Sequence, residues 1–498
     1  MANQFPGSAS SGSRTFSGSP AFRLPLVPAS RNLAYVKCIL LATFPVWLLA
    51  AATLQSAEPS PRMNVLLIVA DDLDNDLGCY GSQVVKSPNI DRLAARGVRF
   101  ERAWCQYPVC NASRTSFLSG RRPETTRVFD NTTPPRTHLK DAVFLPEHFR
   151  RNGYTTIKVG KIFHTGEAFE DPRSWDIDIR EGKEAKNPPP AQIIEKGEGV
   201  VLGARDEDTW DGFVTRKAAA LMEQASQDGK PFFVAAGFRR PHIPYIAPKK
   251  YFDLYPPTSL TPRAEPPEHV KNIPPIALTY NLGSERLTEP RRRPVMSAYF
   301  ASISFLDAQV GVLLETLDRL KLRDQTVVVF LSDHGYHLGE HGGLWHKMTV
   351  FEEASRVPLI VAAPGKKPSV SRRLVELVDL FPTLAELCGL PKPEGLEGLS
   401  FVPLLTEPDR PWKRAAFTVV SHGGSVKGAT ELDPTKLGRT VRTERWRYTE
   451  WFDGSVELYD HDADPYEFMN LANAPQQAPA MAELKRVLTG GWKAALPE

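Results

Sequence analysis

At 498 residues the chain is too long for one ordinary compact core, so two or three units, or one large α/β domain with a smaller partner, are expected at ~150 residues per domain. Its 42% hydrophobic and 24% charged residues exclude a disordered chain. A formal net charge of +3 supplies no broad basic field for nucleic acid, so any anionic ligand must be met by local charges.

The first sixty residues read differently from the rest. A Ser/Gly-rich start with Arg14, Arg23, Arg31 and Lys37 leads into "CILLATFPVWLLAAATL", the length of a signal-peptide core, with small residues in "LQSAEP" behind it. A leader over 1–57, cut after Ala57, is expected. The run is short for a span of ~20 residues and Pro45 interrupts it, so no stable membrane span is expected, and the chain is read as exported, periplasmic or secreted. An uncleaved N-terminal anchor is the alternative. Of the five cysteines Cys38 lies in the leader; Cys79, Cys105, Cys110 and Cys388 show no CxxC or Cys/His spacing, so neither a zinc site nor a disulfide scaffold is indicated.

"NVLLIVADD" from Asn64 is an apolar, β-branched run that stops on two carboxylates, the profile of a buried parallel strand. "SPNIDRLAARG" predicts a helix with Ser87 as N-cap, Pro88 in the first position and Gly97 as its stop. "NASRTSFLSG" predicts a second, with a first turn near 113–116 and an end at Gly120, which sets Cys110 against a helix N-terminus where an anionic group is favoured. Further strands are expected in "TTIKVG", "PFFVAAGF", "TVVVFLS" and "VPLIVAAPG". Met296, Tyr299, Ile303, Leu306, Val310, Leu313, Leu317 and Leu320 mark one long amphipathic helix. Interleaved strands and helices predict an α/β fold with a large, mostly parallel sheet covered on both faces. Segments 180–208 and 256–294 are expected to be long loops. After residue 410 shorter alternating runs predict antiparallel hairpins, which places a C-terminal subdomain at 410–498 behind a main domain at 62–409.

Asp71 and Asp72 end one strand, and Asp333 with His334 ends another. On the same rim of one sheet they could share a divalent cation, for which carboxylate oxygens favour Ca²⁺ or Mg²⁺. Asp74 and Asp76 read as turn formers. Together with these groups, "CNASR" at 110–114 carries a resemblance: it fits the C-x-[PA]-S-R pattern in which type I sulfatases oxidise a cysteine to Cα-formylglycine. "VADD", "CNASRTSFLSGRRP", "VGKIFH", "RRPHIP", "SDHG" and "GEHGGLWHK" follow in the family's order over roughly residues 62–490, and "SPNIDRLA", "GRRPETTR", "YFASISFLDAQVG" and "FEEASRVPLIV" resemble the iduronate-2-sulfatase branch.

The resemblance implies the alkaline-phosphatase-like sulfatase fold and hydrolysis of a sulfate ester on a sulfated carbohydrate, a 2-O-sulfated uronate of a glycosaminoglycan or similar polysaccharide. It implies Ca²⁺ on Asp71, Asp72, Asp333, His334 and modified Cys110, and a formylglycine-generating maturation enzyme as partner. Arg114 and Lys161 would steady the hydrate and the sulfate charge. His242 and Lys347 would stand near the leaving oxygen, and His164 would take the proton that lets the aldehyde reform. Tyr336 and His337 are candidates to face the sugar, and Arg121, Arg122, Arg239 and Arg240 to meet its anionic groups. Asn111 and Asn131 fit glycosylation acceptors; Asn111 is expected to be unmodified, which suits a bacterial exporter. The alternatives are a phosphate or phosphonate monoester hydrolase and an inactive carbohydrate-binding homologue. A zinc phosphatase would need a second metal site and a Thr or Ser nucleophile, and neither is identifiable.

Overall fold

The computed structural model describes residues 62–180, 186–421 and 435–497. The expected leader and its cleavage point lie outside them.

Strand β1 (Asn64–Asp71) is buried along its whole length because helices cover both faces of the sheet it sits in. Its side chains alternate as a pleat demands. Leu66, Ile68 and Ala70 join one core with Val214, Ile303 and Leu306, while Val65, Leu67 and Val69 join another with Phe117, Phe149 and Phe381. Next come α1 (Pro88–Ala94), β2 (Val98–Phe100), α2 (Cys110–Ser119), β3 (Thr155–Gly160), β4 (Ile177–Ile179), α3 (Trp210–Gln227) and β5 (Phe232–Pro241). They are followed by α4 (Arg292–Arg319), β6 (Thr326–Ser332), α5 (Glu352–Ser355), β7 (Leu359–Ala362), β8 (Ser369–Ser371) and α6 (Leu380–Leu387). The eight-stranded sheet runs β8-β2-β7-β6-β1-β5-β3-β4. It is parallel from β6 through β1 and β5 to β4, but β7 pairs antiparallel with both β6 and β2, so the large sheet is mixed. α4 is long and apolar enough to cross a membrane, yet 89% of its apolar window is buried, which makes it a core helix here.

The C-terminal part carries β9 (Ala416–Ser421), β10 (Leu437–Arg442), β11 (Trp446–Glu450) and β12 (Val456–Asp460), paired antiparallel in that order, and α7 (Ala478–Ala494). Val419 N donates to Gln106 O and Thr418 Oγ1 to Cys105 O, which ties β9 to the strap that leads into α2.

Three local expectations need correction. α2 starts at Cys110, not near 113, so the cysteine is the first residue of the helix and not a neighbour of it. Ser87 precedes α1 but does not cap it with its side chain; its hydroxyl instead accepts from Gly78 N and donates to Asp91. Gly97 is not a left-handed stop, since α1 already ends at Ala94; a Cβ there would lie 2.7 Å from Val361 O, so glycine is needed for close approach of β7. Segment 180–208 is also less irregular than expected. Pro190–Ile194 pairs with Gly199–Leu202, which pairs in turn with Tyr245–Pro248.

Candidate active site

β1 and β6 are parallel neighbours in register, Ala70 opposite Ser332, so the acidic pairs that follow them emerge side by side on the carboxyl rim of the sheet. Asp72 stands at φ 65°, a left-handed conformation that costs a non-glycine residue of order 1 kcal/mol and persists only where the surroundings hold it. Tyr299 OH donates to Asp72 O at 2.8 Å, Asp72 N to Asp333 Oδ1 at 3.2 Å and Leu73 N to Ser332 Oγ at 2.9 Å. Asp74 takes the expected turn role, its Oδ1 accepting from Asp76 N.

All ten residues of α2 are buried and Val109 offers no side-chain cap; Asn131 Oδ1 accepts from Asn111 N at 3.0 Å in its place, and Cys110 opens the helix. The Cys110 Sγ lies 3.3 Å from His334 Nε2, 3.7 Å from Asp72 Oδ1 and 3.5 Å from Lys347 Nζ. One turn on, Arg114 is wholly enclosed: Nε donates to Asp333 Oδ2 at 2.8 Å, Nη2 to Asp71 Oδ1 at 3.1 Å, and Nη1 to Lys161 O at 2.6 Å and Ile162 O at 3.1 Å. Lys161 Nζ meets Asp71 Oδ2 at 2.5 Å, and Lys347 Nζ meets both oxygens of Asp72 at 2.6 and 2.7 Å. Lys161 can sit this close because Gly237 leaves room; a Cβ there would lie 2.0 Å from Lys161 O. Three carboxylates are thus matched by three fixed cations in a site with almost no water contact.

His334 donates from Nδ1 to Gly335 O at 2.9 Å, which leaves Nε2 as an acceptor 3.3 Å from Asp72, the tautomer a metal ligand requires. His242 does likewise, Nδ1 to Ile243 O at 2.5 Å with Nε2 3.8 Å from Asp72 Oδ2. His164 lies edge-on to Phe169, with its Nδ1 buried and without a hydrogen-bond partner among the described residues.

Charge follows from these contacts. Burial alone would raise the Asp71 carboxyl, but Lys161, His242 and Arg114 hold it well below the usual range, and Asp72 is held low against its burial by His242, Lys347 and His334. Burial pushes the Cys110 thiol far up despite Lys161 and Lys347, so as a thiol it stays protonated and a poor nucleophile. Burial and then the nearby lysines depress the imidazoles: His164 falls to about 3 and His242 to about 4, which keeps both neutral around pH 7. Lys347 is raised, as Asp72, Cys110 and Asp71 outweigh its burial.

These donors fit a hard divalent cation. Ligand atoms of Asp72, Cys110 and His334, and of Asp71, Cys110 and Asp333, lie within 4.8 Å of one another in each group. Three carboxylates and one imidazole beside the Cys110 sulfur form an oxygen-dominated set.

Several candidates do not reach the site. Arg122 forks onto Glu376 at 2.7 Å through both terminal nitrogens, and Arg121 donates to Ser119 O and Glu394 O. Arg240 is buried 3.4 Å from Asp211 and donates to Pro244 O. Tyr336 is 1% and His337 0% exposed; the first shares a hydrogen bond with Tyr245 and the second with Thr349, so neither faces a sugar. Asn111 spends its amide on Asp130 O and Thr133 O in the interior, where no glycan can be attached. Among the described residues Cys79, Cys105, Cys110 and Cys388 are all free.

The sequence reading passed over Asp211, Tyr299 and His346. Asp211 accepts from Arg239 N and Arg240 N and so shapes the loop that holds His242. Nothing distinguishes it in sequence from any acidic residue in a first helical turn. His346 adjoins Lys347 with left-handed backbone (φ 74°) and is depressed to about 4 by burial and Lys347.

An α/β fold with an oxygen-rich cation cradle at a strand rim, a residue at a buried helix start and fixed cations around it defines an esterase for small oxyanion esters. The sulfatase family profile matches residues 63–390, and the profile "N-sulphoglucosamine sulphohydrolase, C-terminal" matches 339–493. The chain is 33% identical to iduronate 2-sulfatase of Mus musculus, with 93% of this chain and 99% of that one covered. It is 32% identical to iduronate 2-sulfatase of Homo sapiens, covering 85% and 93%. Among solved structures, the phosphonate monoester hydrolase of Agrobacterium radiobacter superposes with a TM-score of 0.75 at 23% identity, covering 86% of this chain and 95% of that one. The chain belongs to the sulfatase family. It is a sulfuric ester hydrolase with the alkaline-phosphatase-like fold.

Proposed function

We propose that the protein removes a 2-O-sulfate from a uronic acid of a glycosaminoglycan-like polysaccharide, with Cys110 matured to formylglycine and Ca²⁺ held by Asp71, Asp72, Asp333, His334 and residue 110. The observation that carries this reading is the seat of Cys110: a thiol kept protonated by burial, at a helix start, within 3.7 Å of Asp72, His334 and Lys347. The sugar is inferred from likeness to the two iduronate 2-sulfatases. Sulfatase relatives at more than 30% identity favour sulfate over phosphonate, since the phosphonate hydrolase likeness, at 23%, bears on the fold alone.

Formylglycine at 110 supplies a geminal diol, one hydroxyl to receive the sulfuryl group and a second whose deprotonation returns the aldehyde. Ca²⁺ supplies Lewis acidity toward the sulfate oxygens. The chain does the rest. Arg114 and Lys161 fix Asp71 and Asp333 in ligating posture and offer positive charge to the equatorial oxygens. Lys347, raised and charged, stands where a departing alkoxide needs a proton or a countercharge; His242, part-exposed and neutral, is placed beside it. To His164, kept neutral by its burial, we assign the second hydroxyl's proton. The catalytic work falls to 62–409. The protein is exported, where such polymers are met.

Peptide mass spectrometry across residues 103–121, paired with turnover of an aryl sulfate and its matching aryl phosphate, tests the reading. The aldehyde mass at residue 110 and preference for the sulfate are expected. An unconverted cysteine in an active enzyme, or preference for the phosphate, overturns it.

A further inference from the structure

Between His334 and Lys347 the chain makes a hairpin, His337–Leu338 pairing with Trp345–His346. Its tip carries a run of left-handed backbone at Gly339 (φ 97°), His341 (φ 51°), Gly342 (φ 71°) and Gly343 (φ 111°). Glycine takes such angles freely and histidine does not. The surroundings must therefore hold His341 in place. Its ring is 0% exposed, stacks on Phe351 with centroids 4.0 Å apart, and points Nε2 at Glu353 Oε2 from 3.7 Å. Among the described residues neither ring nitrogen has a partner within hydrogen-bond distance, nor does Glu353 Oε2. A neutral imidazole here strands polar nitrogens at about 1–3 kcal/mol per group, whereas an imidazolium faces a carboxylate that Arg263 already anchors.

We propose that His341 and Glu353 form a proton-dependent latch that positions the hairpin bearing Lys347, closed when the imidazole is protonated and loosened when it is not. This rests on the reading of Lys347 as part of the catalytic site, and His341 acts on it as a positioning residue. Glu353 lies on α5, and α5 grips the other end of the same hairpin: Gly335 N donates to Ala354 O at 2.9 Å and Tyr336 N to Glu353 O at 2.6 Å. At the tip, His341 N and Gly342 N donate to the two oxygens of Glu265 at 2.7 and 3.0 Å. One short element thus holds the hairpin at its base through backbone and at its tip through a charge.

The groups facing the ring are Glu353, Glu265 and Glu467, with Arg263 beyond Glu353, the rings of His269 and His337 at 5.6 and 6.2 Å, and Glu340 paired to His337 at 3.7 Å. Burial disfavours the charged ring, but the carboxylates outweigh it and its pKa lies above the ordinary 6.5. A raised histidine contributes fully below its unfolded value and loses that contribution as pH rises through the folded one. The latch therefore opens on the alkaline side.

The test measures kcat and KM on an aryl sulfate from pH 5 to 9, and the thermal midpoint over the same range, for the full-length enzyme, His341→Gln and Glu353→Gln. Expected are an alkaline fall in wild-type kcat and midpoint at nearly constant KM, and a His341→Gln enzyme reduced roughly 10- to 100-fold in kcat below that fall and lacking the fall itself. Glu353→Gln should move the fall to lower pH, because burial then dominates. A His341→Gln enzyme that keeps the wild-type alkaline limb, or a Glu353→Gln enzyme that leaves it in place, overturns the latch. If the wild type does not turn over aryl sulfate, the proposed function fails by itself, and the midpoint profiles of the three proteins still decide the latch.

Discussion

Arg114→Ala is the perturbation whose cost the geometry fixes best. The guanidinium is 0% exposed and serves two carboxylates, Asp71 and Asp333, themselves no more than 1% exposed, together with two backbone carbonyls. Removing one partner of a buried pair costs about 3–5 kcal/mol, because the other charge stays buried. Asp71 keeps Lys161 at 2.5 Å, and Asp333 keeps the amides of Asp72 and His334 at 3.2 and 3.1 Å, which favours the lower end. With an unfolding entropy of about 2.1 cal/mol/K per residue over roughly 420 described residues, the midpoint should fall by about 3–6 °C at pH 7. The sign with pH follows from Asp71. Its folded pKa is depressed, so its contribution is present above the ordinary 3.8 and lost as pH falls through the depressed value; the variant forfeits part of that contribution, and its deficit must shrink as pH is lowered. Scanning calorimetry at pH 7 and at pH 3, below the ordinary carboxylate value, with and without millimolar Ca²⁺, measures both. Arg114→Lys, which can reach one carboxylate but not span the fork, should recover part of the stability. An unchanged midpoint, or a deficit that does not vary with pH, refutes the reasoning.

Lys347→Ala should lower kcat by about 10²- to 10³-fold, the cost of one preorganised donor, as read by initial rates at saturating aryl sulfate. Chelation by EGTA should abolish turnover and lower the thermal midpoint, and added Ca²⁺ should restore both; activity that survives dialysis against EGTA counts against the cation cradle. Arg122→Ala should cost about 3 kcal/mol of stability, the lower end for a broken buried pair because Glu376 keeps Lys413 at 2.7 Å, and leave the KM for substrate unchanged. Equilibrium denaturation and steady-state kinetics separate those two effects.

Much of the fold was legible because its signals are local and strong. "NVLLIVADD" and "TVVVFLS" are continuous apolar runs that only a sheet covered on both faces can bury, and the spacing from Met296 to Leu320 admits one long helix, found at Arg292–Arg319. What failed depended on partners distant in sequence. β7 looks in sequence like any buried strand, and its antiparallel direction is set by where the chain returns from the Lys347 hairpin, which no local pattern encodes. Gly97 read as a stop because glycine commonly ends helices; it is required instead by the approach of Val361, 264 residues away. Segment 180–208 gained strands through pairing with Tyr245–Pro248, a partner that its own composition does not suggest.

The same distinction divides the site. Asp71, Asp72, Asp333 and His334 were legible because strand ends in an open α/β sheet meet on one rim, so chemistry-bearing residues at those positions converge whatever lies between them, while Cys110 and Arg114 were singled out by the resemblance of "CNASR" to the sulfatase pattern. Arg122, Tyr336 and His337 misled because a polar side chain near a motif looks like a ligand contact, and sequence cannot tell exposure from burial against a partner. Glu376 for Arg122 and Tyr245 for Tyr336 come from other parts of the chain and take the polar group that a substrate would have needed, while burial beside Thr349 closes His337 off from solvent. Asp211 was missed for the converse reason, since its two acceptor bonds go to the backbone of Arg239 and Arg240, and a residue that shapes a loop through main chain leaves no pattern in its own surroundings. Side chains that do chemistry advertise themselves by type and position, while those that hold them in place are recognisable only by what they touch.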